Sequence, residues 1–332
     1  MRIKDITKII DGKLQNFPSV DHVNAFRINP EHIVQGDLFL DVNHSIYNQK
    51  TAIKNGAYAI VSENILSVLD NEIAWIETGS LRLACIKLAR YEFSKKNASL
   101  LFLNDIAEEM LHSIVKYKTY EKLPSNICKA LLLLTKNGEN IQYTCSDERL
   151  ALSIDPLCNK IKEHTSVQYF QLKSPFFSSF IYKDVFYRNL KIPSIFIKYF
   201  CEILDFSNEE KLQNDYHIVT MSEHFVSIFI DDKLHKKDFG QATKAVIFEK
   251  NIDYLEMEFK YLERFSKDLF LCAPKRYANY FKTYAHACLF KDKQELSHKL
   301  KENFRYALVF GDIKEYHDIF SQSKIEQRGL FS

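Results

Sequence analysis

Short apolar runs alternate with amphipathic segments from about residue 213 to the end of the chain. The runs at 245–250, 268–273, 287–290 and 306–312 are typical of strands, and helical spacing marks the segments between them. Ahead of these runs, 217–221 and 225–231 predict a hairpin. Strands that alternate with helices favour a parallel sheet with helices on its faces. We therefore predict a Rossmann-like α/β domain over residues 213–332.

The first 95 residues also have the pattern of an α/β domain. Apolar strands are predicted over 38–42, 58–63 and 73–78, and helices over 3–12, 47–57 and 80–93. A tight turn at Gln35-Gly36 precedes the first of these strands, and Gly56 stands in the C-cap position of the second helix. Ser80 is the expected N-cap of the third helix. The pattern predicts an N-terminal domain over residues 1–95.

The central segment, 96–212, begins with a strand at 99–103 that runs directly into a helix opening at Asn104 or Asp105. The runs 129–135 and 141–146 flank Asn137-Gly138, a strong hairpin signal, and predict a hairpin there. Later strands are predicted over 166–172, 178–184 and 185–192, the last two joined by a tight Lys183-Asp184 turn. Pro193 then precedes an apolar helix. We treat this segment as a reduced central domain.

Composition excludes several classes of partner. The 45 basic and 43 acidic side chains are intermixed and sum to +2, so we expect no nucleic-acid partner. No apolar window approaches the length of a membrane span, and the N-terminal segment lacks the apolar core of a signal peptide. Seven scattered cysteines without a Cys-x-x-Cys pair are typical of buried thiols in a reducing cytoplasm, so we expect no metal site.

Glycine is unusually rare. The chain has eight, and the closest two are 18 positions apart. The loops Gly-x-Gly-x-x-Gly and Gly-x-x-x-x-Gly-Lys-[Ser/Thr] need closely spaced glycines, because their backbone N–H groups converge on phosphate. The sequence therefore contains neither kind of phosphate loop.

Three short motifs occur in order in the first 95 residues: Gly-Asp-Leu-Phe at 36–39, Gly56-Ala57 at a helix end, and Leu88-Ala89 with Tyr91 in the helix before the strand at 99–103. Together they resemble the turn and strand, the helix end and the helix before the phosphate loop of the Mur ligases, bacterial cytoplasmic ATP-dependent enzymes that add amino acids to UDP-N-acetylmuramoyl peptides. The resemblance is greatest to the members that add the third residue or the terminal dipeptide. It implies a three-part α/β architecture with a shortened central domain and a C-terminal Rossmann-like parallel sheet.

The family's phosphate loop, a Thr-Gly-x-Asn-Gly-Lys-Thr-Thr-like run, would fall just after residue 103. The chain instead has Asn104, Asp105 and Glu108 at this degenerate phosphate-loop position, in a shorter connection. Carboxylates in a first helical turn complement the helix dipole and repel a triphosphate. Asp105 and Glu108 also have the spacing of a capping box. We therefore expect no cofactor, with ATP and magnesium only if a non-standard phosphate site exists.

Two groups of residues are candidates for substrate binding. Asn43, His44 and Tyr47 follow the strand 38–42 and can contact a uridine or a sugar from a strand-end loop. Lys275 and Arg276 open a helix at the C-terminal edge of a sheet, where α/β folds place ligands, and can contact an anion. A solvated loop and ordinary exposed basic residues are the respective alternatives.

Two further polar clusters favour structural interpretations. His217 and His224 lie seven positions apart on predicted strands, which places them on opposite faces and argues against one shared metal ion. Asp231, Asp232 and His235 predict a solvated turn.

The leading hypothesis is a cytoplasmic, bacterial Mur ligase-like protein of peptidoglycan precursor metabolism. It would be a pseudoenzyme without catalytic residues that acts by binding or scaffolding, with UDP-muramoyl peptide or other Mur enzymes as partners. The alternative is an active acid–amino-acid ligase of the UDP-muramoyl-peptide type that uses a non-standard phosphate site. A third interpretation is an α/β protein whose resemblance at 34–63 is chance.

Overall fold

The computed structural model describes residues 1–116, 120–161, 174–282 and 287–320, together with the backbone of 168–169 and 321–322. The chain forms two compact units. The first comprises Met1–Glu108 and Tyr117–Ile161, and the second comprises Glu109–Lys116 and Lys162–Ser332. The division between them falls inside one helix. The division into 1–95, 96–212 and 213–332 stays a prediction.

The first unit contains two sheets and the helices that cover them. Its strands are β1 (Lys13–Leu14), β2 (Phe26–Arg27), β3 (Leu38–Leu40), β4 (Ala59–Ser62), β5 (Ala74–Glu77), β6 (Ser99–Phe102), β7 (Tyr120–Lys122), β8 (Gln142–Cys145) and β9 (Asn159–Lys160). Its helices are α1 (Ile3–Ile9), α2 (Ile46–Lys54), α3 (Leu81–Lys95), α4 (Asp105–Ile114, which continues into the second unit), α5 (Ile127–Lys136) and α6 (Glu148–Ile154).

Parallel pairing dominates both sheets of this unit. The first has the order β1-β5-β4-β3-β2 and is parallel except for β1, and the second has the order β7-β8-β6-β9 and is parallel throughout. Helix α3 packs against α5, and one hydrophobic core contains residues of both sheets. The buried residues of α3 recur at helical spacing, and Ser80 accepts a hydrogen bond from the Leu83 amide, as its sequence predicts.

The predicted turn before β3 is present and explains its glycine. Gly36 has φ +96°, and a Cβ there would lie 2.2 Å from Asn24 Nδ2. The next residue, Asp37, is buried and accepts hydrogen bonds from Arg27 Nε at 2.8 Å and from the Val34 amide at 3.2 Å. This segment therefore has a structural role at the amino end of β3.

The hairpin predicted across Asn137-Gly138 is wrong. The leucine run forms helix α5, whose buried positions include Ile127, Leu131 and Leu134, and β8 pairs in parallel with β6. A run of leucines has no visible period, so it fits a buried helix as well as a strand. Lys96 fixes the end of α5, because its Nζ donates to main-chain carbonyls there, at 2.6 Å in the case of Asn137.

The second unit also contains two sheets. Its strands are β10 (Gln168–Tyr169), β11 (Ser178–Tyr182), β12 (Val185–Leu190), β13 (Val226–Ile230), β14 (His235–Lys236), β15 (Lys244–Glu249), β16 (Leu269–Pro274), β17 (Ala287–Phe290), β18 (Tyr306–Phe310) and β19 (Ser321–Gln322). Its helices are α7 (Ile197–Glu209), α8 (Leu255–Leu262), α9 (Ala278–Phe281), α10 (Lys293–Lys299) and α11 (Ile313–Tyr316).

The large sheet of the second unit has the order β17-β16-β18-β15-β13-β14-β19. Its first four strands are mutually parallel, as the alternating pattern predicts. The hairpin predicted over 217–221 and 225–231 is wrong, because Tyr216–Ile218 is a short 3-10 helix and β13 pairs with β14 and β15. In the smaller sheet, β10-β11-β12, the predicted turn is present, with φ +47° at Lys183 and +63° at Asp184.

Candidate functional site

The carboxyl ends of β3 and β4 carry a polar loop organised by Asp41. This side chain is fully buried and accepts hydrogen bonds from the Ser45 amide at 3.2 Å and Gln49 Nε2 at 2.7 Å. Ser62 Oγ, at the end of β4, donates to it at 3.4 Å. One carboxylate therefore joins the ends of two neighbouring strands to the start of α2.

Two of the predicted binding residues, Asn43 and His44, lie on this loop, and Tyr47 lies in the first turn of α2, directly after it. Asn43, His44 and Tyr47 are all exposed, Tyr47 to 72%. His44 has φ +50°, and its Nε2 lies 3.7 Å from Glu63 Oε2. The other oxygen of Glu63 accepts a hydrogen bond from the Leu81 amide at the start of α3, at 2.6 Å. The loop thus presents a donor–acceptor pair and an aromatic ring, groups that suit a polar ring or sugar.

We expect Asp41→Ala to destabilise the first unit by about 2 kcal/mol, because the Ser45 amide and the Gln49 side chain lose a buried acceptor. Urea unfolding followed by the fluorescence of Trp75, the single tryptophan and a buried residue of β5, measures the change. Glu139→Ala, at an exposed loop position of the same unit, is the control and should leave the midpoint unchanged. Equal midpoints for both variants would contradict this role for Asp41.

The β6–α4 junction is short. It is the position at which the phosphate loop of the Mur ligases, the family that the sequence resembles, would lie. Two residues, Leu103 and Asn104, connect the strand to the helix, and neither is glycine. Asn104 Oδ1 accepts the Ala107 amide hydrogen bond at 2.8 Å, and Leu103 is buried. Asn104 therefore caps the helix, and the capping-box prediction for Asp105 and Glu108 is wrong.

Glu108 points into the first unit instead of serving the helix end. Its side chain is 0% exposed, and Oε2 lies 3.1 Å from Lys122 Nζ at the end of β7. Cys145, at the end of β8, is also close: burial raises the pKa of its thiol to about 11, and the Glu108 carboxylate acts in the same direction. The carboxyl edge of the second sheet is therefore filled by an internal ion pair.

The second group of predicted binding residues, the anion contact, lies at the expected edge of a sheet. Lys275 and Arg276 directly follow β16 in a short 3-10 helix and are exposed. Arg276 lies over the ring of Tyr277 at 5.2 Å, and its guanidinium is 3.7 Å from Glu315. Lys275 and Arg276 belong to the second unit, whereas residues 43–47 belong to the first.

Sequence reasoning missed a buried acidic cluster in the second unit. His224 and Glu249 are fully buried, with 2.9 Å between His224 Nδ1 and Glu249 Oε1, and Glu258 is buried beside them. Burial, and then the Glu249 carboxylate, raise the pKa of Glu258 well above its usual range. His224 does not lie on a strand. The argument that placed His217 and His224 on opposite faces of strands is therefore wrong.

The remaining clusters have local roles. Burial raises the pKa of Asp231, but hydrogen bonds from His235 and from the Lys233 amide outweigh it and bring the pKa to about 2. The seven cysteines are free thiols, six of them buried, with Cys85 Sγ and Cys128 Sγ 3.4 Å apart. Within the described ranges, no group of three or more potential ligands is arranged to hold a metal ion.

None of the helices in the described part of the chain combines the length and the apolar character that crossing a membrane requires.

Comparison with known proteins gives a structural relationship without a sequence relationship. No protein-family model and no curated protein sequence matches the chain. MurF from Acinetobacter baumannii matches with a TM-score of 0.62 at 10% identity, over 96% of this chain and 97% of that one. MurF ligase from Thermotoga maritima in complex with ADP matches with a TM-score of 0.57 at 13% identity, over 90% of this chain and 97% of that one. The α/β class predicted from the sequence is confirmed, and the chain has a Mur ligase-like fold.

Proposed function

We propose that the chain is a Mur ligase-like protein of peptidoglycan precursor metabolism that binds or scaffolds and does not catalyse ligation. The observation that carries the proposal is the β6–α4 junction, with its two-residue connection and the Glu108–Lys122 ion pair at the sheet edge. ATP-dependent ligation requires loop amides, a lysine and magnesium around the γ-phosphate. The residues of this junction do not fit a bound γ-phosphate with its magnesium ion.

The proposed ligand site is the exposed loop at the carboxyl edge of the first sheet. Asn43 and His44 supply two polar side chains on the loop, and Tyr47 supplies a ring from the first turn of α2; Asp41 fixes both segments through the Ser45 amide and Gln49. A UDP-muramoyl peptide has a uracil ring and sugars whose chemistry matches these groups. Binding at a strand-end loop also needs no change in the buried core.

Isothermal titration tests both parts of the proposal. We expect no saturable heat with ATP·Mg at millimolar concentration, whereas a MurF ligase titrated in parallel binds it. We expect saturable binding of UDP-muramoyl tripeptide, weakened at least tenfold by His44→Ala or Tyr47→Ala because each removes a direct contact. His32→Ala, at an exposed position elsewhere in the first unit, is the matched control.

Micromolar binding of ATP·Mg would overturn the proposal. Amide formation from UDP-muramoyl peptide, amino acid and ATP would establish the alternative, an active ligase with a non-standard phosphate site. Equal affinity of all the variants for the muramoyl peptide would exclude the Asn43–Tyr47 loop as its site.

A further inference from the structure

Three successive backbone N–H groups in the second unit converge on one carboxylate. Glu109, in α4, accepts hydrogen bonds at Oε1 from the Ser222 amide, from Ser222 Oγ at 2.9 Å and from the Glu223 amide at 2.6 Å. The His224 amide donates to Oε2 at 3.2 Å. Consecutive amides that point at one oxyanion form the concave donor set that proteins use to bind anions.

The loop is held in this shape from its other side. The next amide, that of Phe225, donates to Glu249 Oε2 at 3.1 Å, and Glu249 also accepts from His224 Nδ1 at 2.9 Å. Phe225 has φ +49°, a conformation that costs a bulky residue about 1 kcal/mol or more and persists only where its surroundings enforce it. These contacts do not involve Glu109, so the amides remain convergent when its carboxylate is removed.

One end of the donor set reaches the surface. Ser222 is exposed and Glu223 is half-buried, whereas Glu109 is 6% exposed and His224 is fully buried. Lys250 forms an ion pair with the Glu223 side chain, which balances the negative charge of this carboxylate beside the donor set. Three amides and a hydroxyl select a ligand with a negatively charged oxygen group, either a carboxylate or a phosphoryl group.

We propose that Ser222–His224 is an oxyanion-binding site that the chain's own Glu109 occupies as an autoinhibitory ligand. An intramolecular carboxylate competes at an effective concentration of roughly millimolar or above. An external oxyanion therefore binds only when Glu109 is removed, or withdrawn together with the second half of α4. The proposal is independent of the function proposed above.

Chemical rescue tests the site in the full-length chain. Glu109→Ala should lower the melting temperature, and formate should restore it saturably, because formate replaces the missing carboxylate. Formamide has the same size without the charge and should restore nothing. Inorganic phosphate distinguishes a site open to phosphoryl groups from one limited to carboxylates. Amide chemical shifts of residues 222–224 should move with formate in the variant, at concentrations at least tenfold below any effect in the wild type.

Glu256→Ala is the matched control, since its exposed side chain lies in α8 of the same unit. Equal responses to formate in this control and in Glu109→Ala would show a general salt effect and overturn the proposal. Absence of rescue in folded Glu109→Ala would also overturn it. If Glu109→Ala does not fold, its refolding yield is compared in formate and in formamide. A higher yield in formate supports the proposal, and equal yields overturn it. Glu109→Gln keeps the shape of the side chain and should respond to formate less than the alanine variant does.

Discussion

Replacing Lys122 with methionine is expected to destabilise the first unit by about 3 kcal/mol, because a buried carboxylate loses its cation. Glu108 is 0% exposed, whereas the Lys122 side chain is 38% exposed and reaches water. The exposure of the lysine places the effect at the lower end of the range for broken buried ion pairs. Urea unfolding followed by Trp75 fluorescence measures it, since Trp75 belongs to the same unit and its neighbours in β5, Ala74 and Ile76, belong to the hydrophobic core that spans both sheets.

Two comparisons separate the ion pair from general effects of lysine removal. Lys87→Met removes a cation from an exposed pair with Asp11, and it should change stability by about 0.5 kcal/mol or less. The double variant Glu108→Leu/Lys122→Met removes both charges and should recover most of the loss, because no charge stays buried. A double variant as unstable as Lys122→Met would contradict the electrostatic explanation.

Replacing Glu258 with glutamine is expected to stabilise the second unit at alkaline pH and to have little effect near pH 5. Burial, followed by the neighbouring Glu249 carboxylate, raises the pKa of Glu258. When the pKa of an acid is higher in the folded state than in the unfolded state, its contribution to the free energy of unfolding is complete at pH values below the unfolded pKa. That stability is lost as the pH rises from the unfolded pKa towards the folded one, at up to about 1.4 kcal/mol per pH unit. Glutamine resembles the protonated acid and removes this loss.

The measurement is a series of urea unfolding curves from pH 5 to pH 9, followed by far-UV circular dichroism. The Glu249 carboxylate helps to raise the pKa of Glu258 and is hydrogen-bonded to His224, so the slope reports the environment of the whole cluster. Glu256→Gln, in the same helix but exposed, should show the wild-type slope. A Glu258→Gln curve parallel to the wild type would contradict the assignment.

Local patterns predicted most of the fold. The alternation of strands and helices over 245–312 identified the parallel part of the large sheet, because each strand is a short apolar run and each helix is amphipathic. Ser80 and the Lys183-Asp184 turn depend on neighbours a few residues away, and Gly36 depends on its own positive φ, so the sequence predicted their conformations correctly.

Roles that depend on distant residues could not be predicted from the sequence. Glu108 and Glu109 have the pattern of first-turn acids that serve the helix dipole, yet Glu108 pairs with Lys122 and Glu109 with the amides of Ser222–His224. The Leu131–Leu134 run gave no period, and the parallel pairing of β6 with β8 connects segments that are not adjacent in the chain. Asn43, His44 and Tyr47 were predicted as a group, and they lie on the loop after β3 and the first turn of α2, all exposed, but Asp41, which fixes that loop, was not identified.

The interrupted course of the first unit has a consequence for synthesis on the ribosome. Residues 109–116 belong to the second unit but emerge between the two segments of the first. The loop that receives Glu109 follows it by 113 positions, so the second half of α4 leaves the exit tunnel long before its binding partner exists. The nascent chain must therefore complete its N-terminal unit while only the first half of α4 is packed against its final neighbours.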